Sequence, residues 1–513
     1  MHHYIFITTL ILLDGLDEVP TKNMDWVIER IHNFVKKFHK NRFITSCRTA
    51  AYRLAFDRFS NVAIADFDDT QIEQFIGNWF QSEADKQART ADRCWKLLQK
   101  RENADAKELA QTPLLLTFLC LVYDKSQNFP NNRSELYGKA LRILLEEWIT
   151  EKRVQRDEVF QELDAQLEEI LLSEIAYQGF QADKLFFPQR EIVEQIKTFL
   201  VGNLNAPQHL DGEAVFNAMA VQQGILVERA QNVYSFSHLT LQEYLTAEYI
   251  EYNRLFEQLV TKRLINERWH EVFLLVAGLM RGGVDELLLL MEKEAQKFIN
   301  TSNLLDLLRW ADLITAGSES DIKPVGKRAI AIANANAIAY AYTNAYLYTK
   351  ANDIAYTYTN AYTKAYADAY ATFIADAYIY AYADAYVYAD PDAIVYANMI
   401  TNSIIYVGKL KKFKVFNDVN FSILIARLEA IKIQITENNI NIVPRIIANS
   451  TIQALLDAFH LTDEMFNLSQ TEAKALENYL YANDLIIQCK KAAVRVSPQT
   501  WEAIEHRMLR LPK

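Results

Sequence analysis

Ile11-Leu12-Leu13-Asp14-Gly15-Leu16-Asp17-Glu18-Val19-Pro20 decides the reading of this chain. An apolar run from Tyr4 to Leu13 stops at three acids, Asp14, Asp17 and Glu18. Its Ile, Phe, Thr and Leu content suits a buried parallel strand. Beyond Pro20, Trp26, Val27, Ile31, Phe34, Val35 and Phe38 recur at helical spacing, which predicts an amphipathic helix over Met24–Phe38. Arg42–Thr49 reads as a second strand with a polar tip, and Val62–Ala65 as a third. Strand, helix, strand at this spacing implies a βαβ unit and a parallel sheet. A carboxylate at the end of such a strand can hold magnesium-bound waters that bridge nucleotide phosphates. Asp14 suits that role, Gly15 leaves room beside the metal, and Asp17 or Glu18 could polarise an attacking water. A helix N-cap followed by first-turn acids accounts for the same cluster equally simply.

From Asp69 the periodicity turns helical. Gln71–Phe80, Ala104–Ala110, Leu114–Tyr123, Ser134–Glu151, Leu163–Gln178 and Gln189–Leu200 read as successive helices. Near Gly224 the period shortens: Ile225–Arg229 and Val233–Ser237 read as a β-hairpin, followed by a helix over Leu241–Leu255. Helices, a two-stranded wing and a helix opening on His238 resemble a winged-helix domain. Residues 256–330 are helical and Leu-rich. In the tail, Leu468–Glu472 reads as a helix start, with Ala475–Ala482, a short apolar segment Leu485–Ile487 and a helix over Pro498–Met508.

Residues 331–400 are low in complexity. Every Tyr from Tyr340 to Tyr396 falls on an even number, and Ala dominates the odd ones. Strict parity is a strand signal, yet Ala is the best helix former and is depleted from strands. A step of four drifts by roughly 40° per repeat on a helix, so the Tyr row cannot hold one face. Short helices packed as a repeat layer are the leading reading, with a β-solenoid or disorder as alternatives.

A length of 513 residues and a hydrophobic content of 50% describe a multidomain globular chain. A net charge of −11 makes a general nucleic-acid surface unlikely; the basic run Lys409–Lys414 reads as a solvated face or a local contact. Cys47, Cys94, Cys120 and Cys489 are dispersed, so neither a zinc site nor a disulfide framework is indicated and a reducing cytoplasm fits. The opening apolar run falls short of the roughly 20 residues that span a bilayer, and no signal peptide or membrane anchor is read.

Several strings resemble NACHT-type NTPases, a class of P-loop signalling ATPases, in its bacterial and cyanobacterial forms. ILLDGLDEVP resembles their Walker B motif. Thr45-Ser46-Cys47-Arg48-Thr49 matches their sensor string, which makes Arg48 the γ-phosphate sensor. Gln111-Thr112-Pro113-Leu114-Leu115-Leu116 resembles the segment whose proline packs on adenine; physically, Pro113 also suits a first helical turn. Phe236-Ser237-His238-Leu239-Thr240-Leu241-Gln242-Glu243-Tyr244-Leu245 resembles the string whose histidine contacts the ADP β-phosphate. Residues 476–501 resemble a C-terminal helical domain attached to NACHT modules, and the Ala/Tyr repeat is similar to Ala-rich repeats in cyanobacterial members.

The resemblance implies a predominantly α chain with an N-terminal α/β remnant, a partial P-loop sheet. Its parts are a NACHT half over 1–85, a helical domain over 86–165 and a winged helix over 166–255. A helical linker over 256–330, a repeat over 331–400 and a C-terminal helical domain over 401–513 follow. It implies an ATP/ADP-dependent signalling switch with Mg2+, in bacterial defence or stress signalling, that self-associates or binds a protein partner through its C-terminal half. In the family a Gly-rich phosphate loop lies upstream of the acidic strand. Here thirteen residues precede Asp14, and no G-x-x-x-x-G-K-[ST] occurs anywhere. The expectation is therefore a chain truncated upstream of Walker B, impaired alone as an ATPase. The alternative is a non-enzymatic scaffold, either a gene fragment or one half of a split protein. A third reading is an unrelated metal-dependent hydrolase using Asp14, Asp17 and Glu18.

Overall fold

The computed structural model describes residues 9–16, 19, 23–46, 59–60, 62, 64–130, 132–151, 165–202, 211–217, 219, 225–343, 393–437, 444–462, 465 and 468–511. The chain is predominantly α-helical, with a small parallel sheet near the N-terminus and a winged helix. It divides into two units. The first holds Met1–Leu259, Asn266–Val284 and Cys489–Arg495, and the second Val260–Ile265, Asp285–Gln488 and Val496–Lys513.

The first unit opens with β1 (Leu10–Leu13), α1 (Met24–Lys37) and β2 (Arg42–Thr45). The strands pair in parallel, with Leu10 opposite Arg42 and Leu13 opposite Thr45. Helix α1 joins them because a parallel pair needs a crossover, and Phe34 packs edge-on against Phe43 at 5.7 Å. The other face of the pair carries Leu10, Leu12 and Ile44, all exposed, with Leu12 at 66%. Parallel sheets normally bury both faces. The expected third strand does not form: Val62 and Ile64 are 85% and 96% exposed and pair with nothing among the described residues. Their β-branched side chains gave a strand signal that no partner supports.

Helices α2 (Asp69–Trp79), α3 (Glu83–Ala88), α4 (Thr90–Leu98), α5 (Ala104–Leu109) and α6 (Pro113–Ser126) follow. A capping box starts α2: the Gln71 N–H donates to Asp68 at 2.8 Å and the Asp68 N–H to Gln71 at 3.0 Å. Such reciprocal bonds contribute about 1 kcal/mol. Helix α6 buries Leu115, Leu116, Phe118, Leu119, Cys120, Val122 and Tyr123, as its apolar sequence requires.

Next come α7 (Arg133–Glu151), α8 (Ala165–Gln181), β3 (Phe187–Pro188), α9 (Gln189–Gly202), α10 (Gly212–Asn217), β4 (Leu226–Ala230), β5 (Val233–Phe236) and α11 (Leu239–Tyr252). The wing has order β3-β5-β4, so a short strand precedes the predicted hairpin. Asn232 supplies the left-handed turn at φ +58°, a conformation Asn tolerates. Helix α11 is buried almost throughout and packs against α8. Gln242 donates to the Lys184 carbonyl at 3.2 Å, and Tyr177 stacks on Tyr249 at 4.5 Å. Helices α12 (Phe256–Arg263, to Leu259 in this unit) and α13 (His270–Leu279) come after it.

The second unit contains α14 (Asp285–Gln296), α15 (Ser302–Thr315), α16 (Pro324–Thr343), α17 (Ala393–Phe413), α18 (Phe421–Glu437), α19 (Pro444–Phe459), α20 (Gln470–Ala492, to Gln488 in this unit) and α21 (Pro498–Arg507). The alternating Ala pattern begins inside α16 and is helical there. Ala329–Ala335 and Asn336 are buried all round, so parity marks a central helix at this point. Residues 344–392, most of the repeat, lie outside the described residues. Ser469 and Glu472 form the expected helix start. The helix then runs unbroken through Leu485–Ile487, which the sequence had separated from Ala475–Ala482.

Candidate functional site

Asp14 follows the last residue of β1 and is exposed. Beside it the tip of β2 contributes Ser46, which makes four hydrogen bonds to residues 13–16. The Ser46 N–H donates to the Leu13 carbonyl at 3.0 Å, and the Leu16 N–H donates to the Ser46 carbonyl at 3.0 Å. The Ser46 hydroxyl donates to Asp14 Oδ1 and accepts the Gly15 N–H at 2.9 Å. Gly15 turns the chain at φ +73°, where a side chain would be strained. The acidic loop and the sensor-string strand are thus joined at their ends. Asp17, Glu18 and Arg48 lie outside the described residues.

The donor set suits a hard divalent cation. A carboxylate and a hydroxyl stand together, and magnesium needs only one or two carboxylates because it keeps waters and phosphate oxygens as further ligands. Among the described residues no three His, Cys, Asp or Glu side chains converge on a metal position. Asp14 and Ser46 fit an open cation position that keeps further ligands from outside the protein. Among the described residues the thiols offer no alternative chemistry. Burial pushes Cys120 up to about 12 and raises Cys94 and Cys489 as well, which keeps all three protonated.

Pro113 is the first residue of α6 and is exposed. Its ring is open to an aromatic partner, and its missing N–H costs nothing at this position. The Phe67 N–H donates to the Gln111 carbonyl at 2.9 Å, which ties the segment before α2 to the turn that presents the proline.

His238 occupies the N-cap position of α11, with its side chain making no cap hydrogen bond. Burial lowers its pKa, and nearby Arg229 lowers it further. The register of β4 against β5 slips between Glu228 and Ala230, which makes Arg229 the extra residue of a bulge. A bulge re-aims its side chain. The Arg229 guanidinium donates to Ser235 Oγ at 2.9 Å and to the Ser237 carbonyl at 3.2 Å, next to His238. The Thr240 hydroxyl is buried with no hydrogen-bond partner. His238 thus stands at the start of a 14-residue helix, with Arg229 held against the neighbouring Ser237.

Among the described residues no hydrogen bond, ion pair or ring contact joins Asp14 or Gly15 to Pro113 or His238. Sequence reasoning missed Ser46 and Arg229. Ser46 was quoted only as part of a string, and Arg229 is revealed only by the bulge. A groove of about 470 Å³ along α8, β3 and α9 contains none of the candidate residues. Its Glu174, Glu191 and Glu194 do not suit a polyphosphate.

Residues 133–250 match the family model of a winged helix-turn-helix domain C-terminal to NACHT. Residues 424–512 match that of NACHT C-terminal helical domain 2. This is a NACHT-type protein. His238, Arg229 and most of α11 of the NACHT-type chain fall within the winged-helix match, and α19–α21 within the helical-domain match. No curated protein matches the chain. Among the described residues no helix is long and apolar enough to cross a membrane.

Proposed function

We propose that this NACHT-type chain works as an ATP/ADP-dependent signalling switch. The observation that carries the reading is the exposed carboxylate of Asp14 at the end of a parallel strand, hydrogen-bonded to Ser46 two residues before Arg48. Asp14 takes the magnesium, Arg48 the γ-phosphate, Asp17 or Glu18 the water, Pro113 the adenine and His238 the β-phosphate of ADP. ADP favours the state in which winged helix and NTPase residues share the nucleotide, and exchange for ATP shifts the population away from it. The helical C-terminal half then serves self-association or a protein partner, in bacterial defence or stress signalling within the cytoplasm. When bound, magnesium neutralises the phosphates. This chain's own residues orient the ion, read the phosphate charge and hold the base.

The exposed face formed by Leu10, Leu12 and Ile44 supports a sheet that takes further cover. In this reading Asp14 and His238 bind one and the same magnesium–nucleotide. Calorimetric titration of the purified chain with Mg–ADP and Mg–ATP, alongside a turnover assay, tests this. Binding of both nucleotides to the wild-type chain, lost in Asp14→Asn and in His238→Ala, is the expected result. No binding of either nucleotide at millimolar concentration overturns the switch reading. Binding unaffected by either substitution overturns the site itself.

The helical-domain match over residues 424–512 favours a second reading, a non-enzymatic scaffold acting through its helical half. In that case Asp14→Asn leaves the oligomeric state and every partner interaction unchanged in the presence of nucleotide.

A further inference from the structure

We infer that Ser46 is a positioning residue for the metal ligand Asp14, an assignment that rests on the nucleotide-switch reading above. A single hydroxyl performs two tasks at once. It donates to Asp14 Oδ1 and accepts the Gly15 N–H at 2.9 Å. A serine hydroxyl has one proton and two lone pairs, so this pattern assigns its proton to the carboxylate. The donated bond fixes the rotation of the Asp14 carboxylate about its last torsion, a broad two-fold well when free. Oδ1 is engaged, and Oδ2 is the oxygen that the geometry leaves for a cation. The accepted bond holds Gly15 in its left-handed turn at φ +73°, which sets where the Asp14 backbone ends.

The site is exposed, so an unrestrained aspartate there would sample several rotamers in water. Backbone bonds from Ser46 to Leu13 and Leu16 anchor the hydroxyl to both strands, so it is presented from rigid elements. Ser46 also precedes Arg48 by two residues. A shift of the β2 tip at Ser46 therefore pulls on Asp14. Hydrogen-bonding partners of metal-ligating carboxylates typically contribute about 10–100-fold to metal affinity.

The experiment uses the full chain with glycine-selective 15N labelling and manganese(II) alone as the probe, since the ion broadens the neighbouring Gly15 amide without any nucleotide. Ser46→Ala, Ser46→Thr and Asp14→Asn are compared, with circular dichroism and thermal melting confirming the fold of each. Wild type is expected to lose the Gly15 signal progressively, and Asp14→Asn to be insensitive. Ser46→Ala should need about 10-fold more manganese, and Ser46→Thr, which restores the hydroxyl, should return to the wild-type midpoint. Hydrogen exchange at Gly15 should quicken in Ser46→Ala alone. If Asp14→Asn desensitises the amide but Ser46→Ala does not, the positioning role is overturned and the metal site stands. If Asp14→Asn broadens as wild type does, or wild type does not broaden, the metal reading fails and the role of Ser46 fails with it.

Discussion

Glu248 on α11 lies beside Glu169 on α8 in the buried contact between these helices. Tyr244 donates a hydrogen bond to Glu248 at 3.3 Å, and Arg142 of α7 stands nearby. Burial, then the neighbouring Glu169 charge, pushes the Glu248 carboxyl up to about 8 from 4.5. Between those values the folded chain holds a proton that the unfolded chain has released. Stability therefore falls as pH rises through this window and levels off above it. Thermal melting is expected to show a higher midpoint near the ordinary glutamate range than above pH 8. Glu248→Gln should flatten that slope, because a neutral amide needs no proton; an unchanged slope refutes the assignment.

His238 should be neutral at pH 7, with burial as the larger cause and Arg229 as the second. Its folded pKa lies below the unfolded value, so its contribution to stability is present above the ordinary histidine range and is lost as pH falls through the lowered value. Arg229→Ala should raise the His238 pKa without restoring it fully, since burial remains. A ring-proton NMR titration reads this directly. A bound phosphate favours the imidazolium, so ADP should raise the same pKa.

Gly179 marks a close approach inside the winged helix. A Cβ built there would lie 2.3 Å from Phe187 Cζ and 3.2 Å from Gln242 Nε2. The Phe187 ring is fully buried and cannot swing away. Gly179→Ala should destabilise by about 1–3 kcal/mol, a drop of a few degrees in the melting midpoint. An unchanged midpoint contradicts this packing.

In the second unit Arg328 is 1% exposed and holds the end of α21. Its guanidinium donates to the Met508 carbonyl at 2.8 Å, to the His506 carbonyl at 3.3 Å and to Asp312 at 3.2 Å. Arg510 also donates to Asp312 at 3.0 Å, so the carboxylate keeps one partner if Arg328 is lost. Arg328→Ala should cost about 3 kcal/mol, measurable by denaturant unfolding. Arg328→Lys should rescue little, since an ammonium cannot fork across carbonyl and carboxylate.

Most helices of this chain were legible because their apolar spacing is unambiguous. Leu114–Tyr123 is the clearest case, an apolar run whose only fate is burial. The winged helix was readable from the switch of period at Ile225. What escaped had weak local signals. Phe187–Pro188 is two residues long and becomes a strand only through Tyr234 and Val233. Val62–Ala65 carried the opposite error, since β-branched residues in a row make a strand only where a ladder partner exists. Parity in Ala329–Asn336 mimics a strand but belongs to a helix buried on every side, where no face needs to be polar. At the site, the string around Asp14 was readable, whereas the Ser46 clamp and the aim of Arg229 arise from cross-strand register.

Hydrogen–deuterium exchange across the full chain, with and without saturating Mg–ADP, tests the central claim most directly. The account predicts that exchange slows in one and the same titration at Gly15 and Leu16 and at Leu239–Leu241, the two ends of a shared nucleotide. If exchange at both segments stays unchanged at millimolar Mg–ADP, Asp14 and His238 do not serve a nucleotide in this chain.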